Sequence, residues 1–173
     1  VASFFVSRVE SAVDLALEEL GTAELQGQIA TANTKVAYAR FREIFAGERW
    51  ERLSAQGARV QRPLWGSTST KNPLYPDTLY VEGLIGQDTG NTVPPATLQA
   101  LLDHGQVAAT LEIGVDTAHA QLARLAAMGV DLDAITQKLQ DDGVAAFAKS
   151  FETLMASIAQ KREKLLSGWH HLT

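Results

Sequence analysis

Two short segments of the sequence combine hydroxyl side chains with a cation. The first holds Ser3, Ser7 and Arg8, and the second is the Ser/Thr run 67–70 followed by Lys71. A phosphate dianion needs a positive counter-charge and several hydrogen-bond donors, and these side chains supply both. Arg8 offers a forked guanidinium, whereas Lys71 offers a point charge. The two segments predict phosphate binding, although a small polar run is also typical of a simple turn.

Each segment lies in or directly after an apolar stretch that predicts a buried strand, the first over residues 1–9 and the second over residues 60–65. Between them, apolar residues at spacings of three and four predict helices over residues 10–21, 24–46 and 48–56. Two strands joined by a long helical crossover indicate a parallel α/β sheet or barrel. Such sheets build their sites at the carboxyl ends of the strands, where both polar segments would lie.

The remaining chain is mostly helical by the same criteria. We expect a short helix over residues 78–85, a very short strand within 87–95, and helices over 96–102, 117–128 and 131–139. A last long helix follows, in which Asp141 and Asp142 are interpreted as the helix start. An apolar stripe at three-four spacing runs along it, and it comprises Val144, Phe147, Phe151, Leu154 and Ile158. We interpret that stripe as core or docking surface.

Composition excludes several classes of protein. The 173 residues carry 15 Lys and Arg against 20 Asp and Glu, a net charge of -5, which argues against a nucleic-acid partner. Without cysteine there are no disulfides, zinc ribbons or thiol catalysis. The sequence shows no membrane-spanning run and no secretory leader, so we expect a cytoplasmic protein without membrane contact. No nucleotide-binding glycine motif occurs, and no HExxH pattern includes the four histidines, which are His104, His119, His170 and His171.

The polar segments also carry a family resemblance. Ser3-Phe4-Phe5-Val6-Ser7-Arg8 resembles the sixth-strand motif of transaldolases. The stretch RPLWGSTSTKNP, residues 62–73, resembles the seventh-strand segment of the longer bacterial transaldolase subfamily. Residues 77–81 and 91–98 continue this likeness into the eighth strand and its helix. The similarity extends from Val1 to about Gly105 and is weaker over the helical tail.

The resemblance implies a phosphate site with four contacts, and these come from Ser3, Arg8, Ser67 and Lys71. Phe5 would line the pocket near the carbon chain of the substrate. The catalytic lysine and the acid/base residues of transaldolases lie on earlier strands, so the resemblance implies that this chain contains no catalytic residue.

Three details depart from the family pattern. Ser7 stands where many relatives have glycine before the arginine. Lys71 stands where shorter relatives have arginine, so forked recognition is not implied there. The second hydroxyl of the site falls on Ser67 or on Thr68. Lys71 is disfavoured as the Schiff-base lysine, because a bound phosphate stabilises its charged form.

The implied fold is α/β: the C-terminal portion of a TIM (β/α)8 barrel, strands six to eight, followed by a helical tail. We expect residues 1–105 to form the last barrel strands with the phosphate site, and residues 106–173 to form helices packed on the barrel. A complete barrel needs at least about 200 residues, so its N-terminal part is absent from these 173. The chain starts with Val1 inside an apolar run, which we interpret as a cut end.

The implied activity is that of a transaldolase, a transferase of the pentose phosphate pathway. It moves a dihydroxyacetone unit from sedoheptulose 7-phosphate to glyceraldehyde 3-phosphate through a lysine Schiff base, which makes a metal or organic cofactor unnecessary. The partners would be sugar phosphates and the N-terminal part of the same barrel. The alternative is a sugar-phosphate-binding half-barrel without catalysis, or a fragment that depends on a partner.

Overall fold

The computed structural model describes residues 1–169, and within them it has three strands and seven helices. The strands are β1 (Ala2–Phe5), β2 (Pro63–Gly66) and β3 (Gly90–Asn91). The helices are α1 (Ser7–Glu19), α2 (Ile29–Ile44), α3 (Gly47–Ala55), α4 (Leu79–Gly83), α5 (Pro95–His104), α6 (Val115–Ala127) and α7 (Leu132–Trp169). His170 and His171 lie outside the described residues.

The three strands form one parallel sheet in the order β1-β2-β3. Phe5 pairs with Gly66 at the carboxyl end of the first two strands, and Trp65 pairs with Asn91 at the end of the second and third. Helices α1 to α3 make the crossover from β1 to β2. The predicted parallel α/β arrangement is confirmed. The numbering of the strands as six to eight of a barrel stays a prediction.

The first strand is shorter than predicted, since it ends at Phe5 and α1 begins at Ser7. The β-branched residues after Phe5 favour a strand locally. In the folded chain, Val9 belongs instead to a buried helical stripe with Val13 and Leu17. Burying this stripe outweighs the local strand preference. The prediction of a strand over residues 6–9 is therefore wrong.

Helix α2 begins five residues later than the spacing predicts. Residues 24–28 form a turn in which Leu25 and Gly27 have positive φ angles of 70° and 71°. The carboxylate of Glu10 then accepts hydrogen bonds from the backbone N–H groups of Ile29 and Ala30, at 3.1 Å and 3.2 Å. The helix therefore begins where a side chain of α1 satisfies its free N–H groups.

The core lies between the helices and one face of the sheet. Phe4 and Trp65 lie side by side on that face, with their rings 6.0 Å apart edge to face. They line a groove of about 280 Å³ together with Phe41 of α2. On its other side α2 packs against α6. Arg124 of α6 also forms a two-bond ion pair with Glu24 in the turn before α2, with N–O distances of 2.9 Å and 3.0 Å.

Helix α7 continues without a break through the predicted helix start at residues 141–142, so that prediction is wrong. Lys138 pairs with Asp142, and Gln137 donates to Asp141, each one helical turn apart. Such i,i+4 pairs stabilise a continuing helix and offset the weak helix preference of Gly143.

The described chain divides into two compact units, Val1–Ile135 and a second that begins at Thr136. In the second unit Phe147 and Phe151 of the apolar stripe are 77% and 64% exposed. No helix among residues 1–169 is long and apolar enough to cross a membrane.

Candidate functional site

The carboxyl ends of β1 and β2 bring two serines into contact. Ser7 is the first residue of α1, and Ser67 directly follows β2. The Ser7 N–H donates to the Ser67 carbonyl oxygen at 3.0 Å, and the two side-chain oxygens lie 2.8 Å apart. The two polar segments are therefore in contact at the carboxyl ends of neighbouring parallel strands, as the sequence predicts.

The loop after β2 presents one hydroxyl and buries the next. Ser67 is half-buried and has a φ of 55°, in the left-handed region. Thr68 is fully buried, and its hydroxyl donates to the side-chain oxygen of Asn91 at 2.7 Å. Of the two candidates for the second hydroxyl, the geometry therefore favours Ser67.

Arg8 lies beside Phe5 at the same strand end. Its guanidinium carbon is 5.2 Å from the centre of the Phe5 ring, within the range of a cation–π contact. The Phe5 ring is 50% exposed and packs over Gly66, where an added Cβ would lie 3.4 Å from the ring. The ring thus supports an exposed guanidinium whose N–H groups remain available to an anion.

Ser3 lies farther from the serine pair than the sequence suggests. It is an exposed residue inside β1, two positions before Phe5 and on the same face of the sheet. The distance along the strand from Ser3 to Phe5 is about 7 Å. The structure therefore places Ser3 below the strand end, on the face opposite Phe4 and Trp65.

Lys71 belongs to an exposed part of the loop after β2. Its Nζ donates to the Ser69 hydroxyl at 2.7 Å. The loop is braced further along, because the Asn72 side chain accepts from the Leu74 N–H at 3.0 Å and the Thr70 hydroxyl donates to the Pro76 carbonyl at 2.8 Å. These local bonds limit the region of space that the ammonium group samples.

A buried pair of carboxylates, which sequence reasoning missed, anchors this loop to α1. The Tyr75 hydroxyl donates to Asp14 at 2.8 Å, and Asp14 also accepts from the Gly27 N–H at 3.1 Å. Glu10, one turn earlier, is only 1% exposed. Both acidic residues fall within the three-four stripe of Val9 and Val13, and this spacing was the available signal that they face inward.

Burial governs the ionisation of this cluster. It raises the pKa of Glu10 to about 7, the nearby charge of Asp14 adds to the rise, and the N–H groups of Ala30 and Ile29 oppose it. The pKa of Tyr75 is raised by burial first and then by its hydrogen bond to Asp14. The pKa of Tyr80, which is 1% exposed, is raised by burial and by the charges of Glu10 and Asp14.

Taken together, the strand ends offer hydroxyl and cationic donors to an anion. Within residues 1–169, no group of three or more His, Asp or Glu side chains has the geometry to hold a metal ion.

Comparison with known proteins identifies the family of this chain. A family profile described as "Transaldolase/Fructose-6-phosphate aldolase" matches residues 1–158. The chain belongs to this family. Proteins named "Transaldolase" from Frankia alni, Thiobacillus denitrificans and Mycolicibacterium smegmatis are 50%, 52% and 45% identical to it. These alignments cover 93%, 91% and 90% of this chain.

The same alignments cover 44%, 45% and 43% of the three transaldolases. The chain therefore spans less than half the length of these relatives. Membership of the transaldolase family implies a TIM-barrel-type fold. The described residues contain a three-stranded parallel sheet and helices.

Proposed function

We propose that the protein containing this chain is a transaldolase that transfers a dihydroxyacetone unit from sedoheptulose 7-phosphate to glyceraldehyde 3-phosphate. The reaction would proceed through a lysine Schiff base as a step of the pentose phosphate pathway. In this proposal β1, β2 and β3 are the sixth, seventh and eighth barrel strands. The lysine and the acid/base residues belong to the part of the barrel that precedes Val1.

The observation that carries this proposal is the contact of Ser7 with Ser67, which joins the two polar segments. Because the segments meet, the proposal has Arg8 at one strand end and Ser67 at the other contact the same phosphate. Lys71 adds a second cation from the loop after β2. These groups supply charge and donors to a phosphate dianion, and the names of the relatives favour transfer over simple aldol cleavage.

The proposed role of the chain is to hold the end of the substrate that does not react. Arg8 and Lys71 neutralise the phosphate, the Ser67 hydroxyl donates to it, and Phe5 lines the path of the carbon chain. Ser3 lies along the same face of β1 and would reach the substrate below the phosphate. A fixed phosphate places the carbonyl carbon against the lysine and so raises the effective concentration of the two groups.

The test is a transaldolase assay of the full-length protein and its Arg8→Gln variant. A lost charge-assisted hydrogen bond is expected to raise the KM for glyceraldehyde 3-phosphate by about ten- to a hundredfold. We expect the KM of Arg8→Lys to lie between those of the unsubstituted protein and Arg8→Gln, because lysine keeps the charge and lacks the forked guanidinium.

Arg62→Gln is the matched control. Arg62 is an exposed arginine that precedes β2, at the opposite end of the strand from the site. Its substitution is expected to leave the KM unchanged. An Arg8→Gln variant with the KM of the unsubstituted protein would contradict the proposed phosphate site.

A further inference from the structure

Ser7 is buried in a place where its hydroxyl has a specific partner. It is 0% exposed, and its side-chain oxygen lies 2.8 Å from that of Ser67. A buried hydroxyl without a hydrogen bond destabilises the folded state, so this contact stabilises the buried side chain of Ser7. The same two residues are joined a second time through the Ser7 N–H and the Ser67 carbonyl.

Ser67 needs such support because its backbone is strained. A φ of 55° is uncommon for residues other than glycine, and it persists only where surrounding contacts impose it. Contacts on both sides do so here. The Val6 N–H donates to the Gly66 carbonyl at 2.9 Å, and the buried Thr68 hydroxyl is held by Asn91. The pair with Ser7 is the contact that acts on Ser67 itself.

The direction of the hydroxyl pair matters for an anion. Each hydroxyl has one proton to donate, and phosphate oxygens only accept. When Ser7 donates to Ser67, the Ser67 proton is free to point at a phosphate oxygen. When Ser67 donates to Ser7, that proton is withheld. A bound anion therefore selects the first direction.

We propose that Ser7 is a positioning residue for phosphate recognition, which holds the Ser67 side chain in place and turns its proton toward the anion. This inference rests on the proposed function. Ser7 touches no substrate in this proposal, because it is buried behind Ser67, and its effect passes entirely through its partner. Removing Ser7 and removing Ser67 should therefore not have independent effects on phosphate binding.

The experiment is a double-mutant cycle in the full-length protein with Ser7→Ala, Ser67→Ala and the double variant. Inorganic phosphate serves as a competitive inhibitor, and its inhibition constant is measured. One lost hydrogen bond predicts a rise of about three- to tenfold for Ser7→Ala. The double variant is expected to match Ser67→Ala. In Ser7→Ala, the KM for glyceraldehyde 3-phosphate is expected to rise more than the KM for unphosphorylated glyceraldehyde.

Ser11→Ala is the matched control, because Ser11 lies one turn along α1 and its hydroxyl donates to the Ser7 carbonyl oxygen at 3.0 Å. It removes a serine hydroxyl from the same helix without reaching Ser67, and it should leave phosphate inhibition unchanged. Ser7→Cys replaces the hydroxyl by a somewhat larger thiol, which is a weaker donor. It is expected to give an intermediate inhibition constant, and it serves if Ser7→Ala folds poorly.

Two results would overturn the inference: phosphate inhibition of Ser7→Ala equal to that of the unsubstituted protein, or effects of Ser7→Ala and Ser67→Ala that multiply in the double variant. Arg8→Gln, measured in parallel, separates this failure from a wider one. If Arg8→Gln weakens phosphate inhibition and Ser7→Ala does not, only the role of Ser7 is wrong. If neither does, the proposed phosphate site is wrong as well.

Discussion

Glu10 has two opposing interactions within one side chain. Its oxygens accept the N–H groups of Ile29 and Ala30 at the start of α2, which favours a carboxylate. Burial and the charge of Asp14 favour the protonated acid, and they win, so the pKa rises to about 7. Near neutral pH this residue is therefore divided between its two protonation states.

A raised carboxyl pKa predicts the direction of a pH effect on stability. The folded protein binds the Glu10 proton more tightly than the unfolded chain, whose pKa is about 4.5. The stabilisation by the protonated acid is complete below pH 4.5 and is lost as the pH rises to about 7. The free energy of unfolding, relative to Glu10→Gln, should fall by about 3 kcal/mol over that window.

Denaturant unfolding of the full-length protein at pH 4.5, 6 and 8 would measure this difference. Glu18→Gln, at an exposed position of the same helix, is the control and should follow the unsubstituted protein at each pH. If the free energies of unfolding of Glu10→Gln and the unsubstituted protein differ by a constant amount from pH 4.5 to 8, Glu10 does not cause the predicted pH dependence.

At the scale of elements, the turn between α1 and α2 is tied to the loop after β2. Gly27 donates to Asp14, and Asp14 accepts from Tyr75, which lies in that loop four residues after Lys71. The Tyr75 ring also packs directly against Gly27, where an added Cβ would lie 3.0 Å from the ring. The loop after β2, which carries the proposed phosphate contacts, is thus held by α1 and by the turn that precedes α2.

Two glycines separate backbone strain from this packing. Gly21 and Gly27 share a φ of 71°, but an added Cβ meets no atom within 4 Å at Gly21. Gly21→Ala should therefore lower the free energy of unfolding by about 1–2 kcal/mol, from the left-handed backbone alone. Gly27→Ala should lower it further, because the methyl group meets Tyr75, and it should also raise the KM for glyceraldehyde 3-phosphate.

Thermal or denaturant unfolding of both variants in the full-length protein, with the assay alongside, measures this difference. Equal destabilisation by the two substitutions, with no change in KM for Gly27→Ala, would show that the contact with Tyr75 does not support the loop.

At the scale of the whole molecule, three strands do not close a barrel. β1 and β3 are the edges of the described sheet, and an eight-stranded barrel has none. Ser3 and Phe5 are exposed on one face of this sheet. In a closed barrel, that face would pack against side chains from the other strands. We therefore expect the proposed transfer reaction to require residues outside this chain.

Borohydride trapping tests where the nucleophile lies. Sedoheptulose 7-phosphate added to the full-length protein should form an imine, which borohydride reduces to a stable secondary amine. Mass mapping is expected to find the adduct on a lysine outside residues 1–173. Lys71→Arg should still be trapped, as should the control Lys161→Arg on α7. An adduct on Lys71 would assign it the nucleophilic role that we disfavour.

Much of the architecture followed from local patterns. The stretches before Ser7 and before Ser67 predict strands because apolar and β-branched residues cluster there, and the helical crossover makes them parallel. The start of α2 was not predictable in this way. Residues 24–28 have helix-compatible spacing, but the helix begins at Ile29, where Glu10 caps it from 19 residues away in the sequence.

The site shows the same division. The residue types of the two polar segments, Ser with Arg8 and a Ser/Thr run with Lys71, predict phosphate binding, because charge and donor number belong to the side chains themselves. Which hydroxyl faces the anion is a matter of three-dimensional placement. Ser67 is available and Thr68 is not. The left-handed turn at Ser67 is held by its contacts with Ser7, and the bond from Thr68 to Asn91 forms only when β2 and β3 lie side by side. The sequence by itself determines which charges and hydrogen-bond donors are present, whereas only the tertiary structure determines which of them are buried and which lie close together.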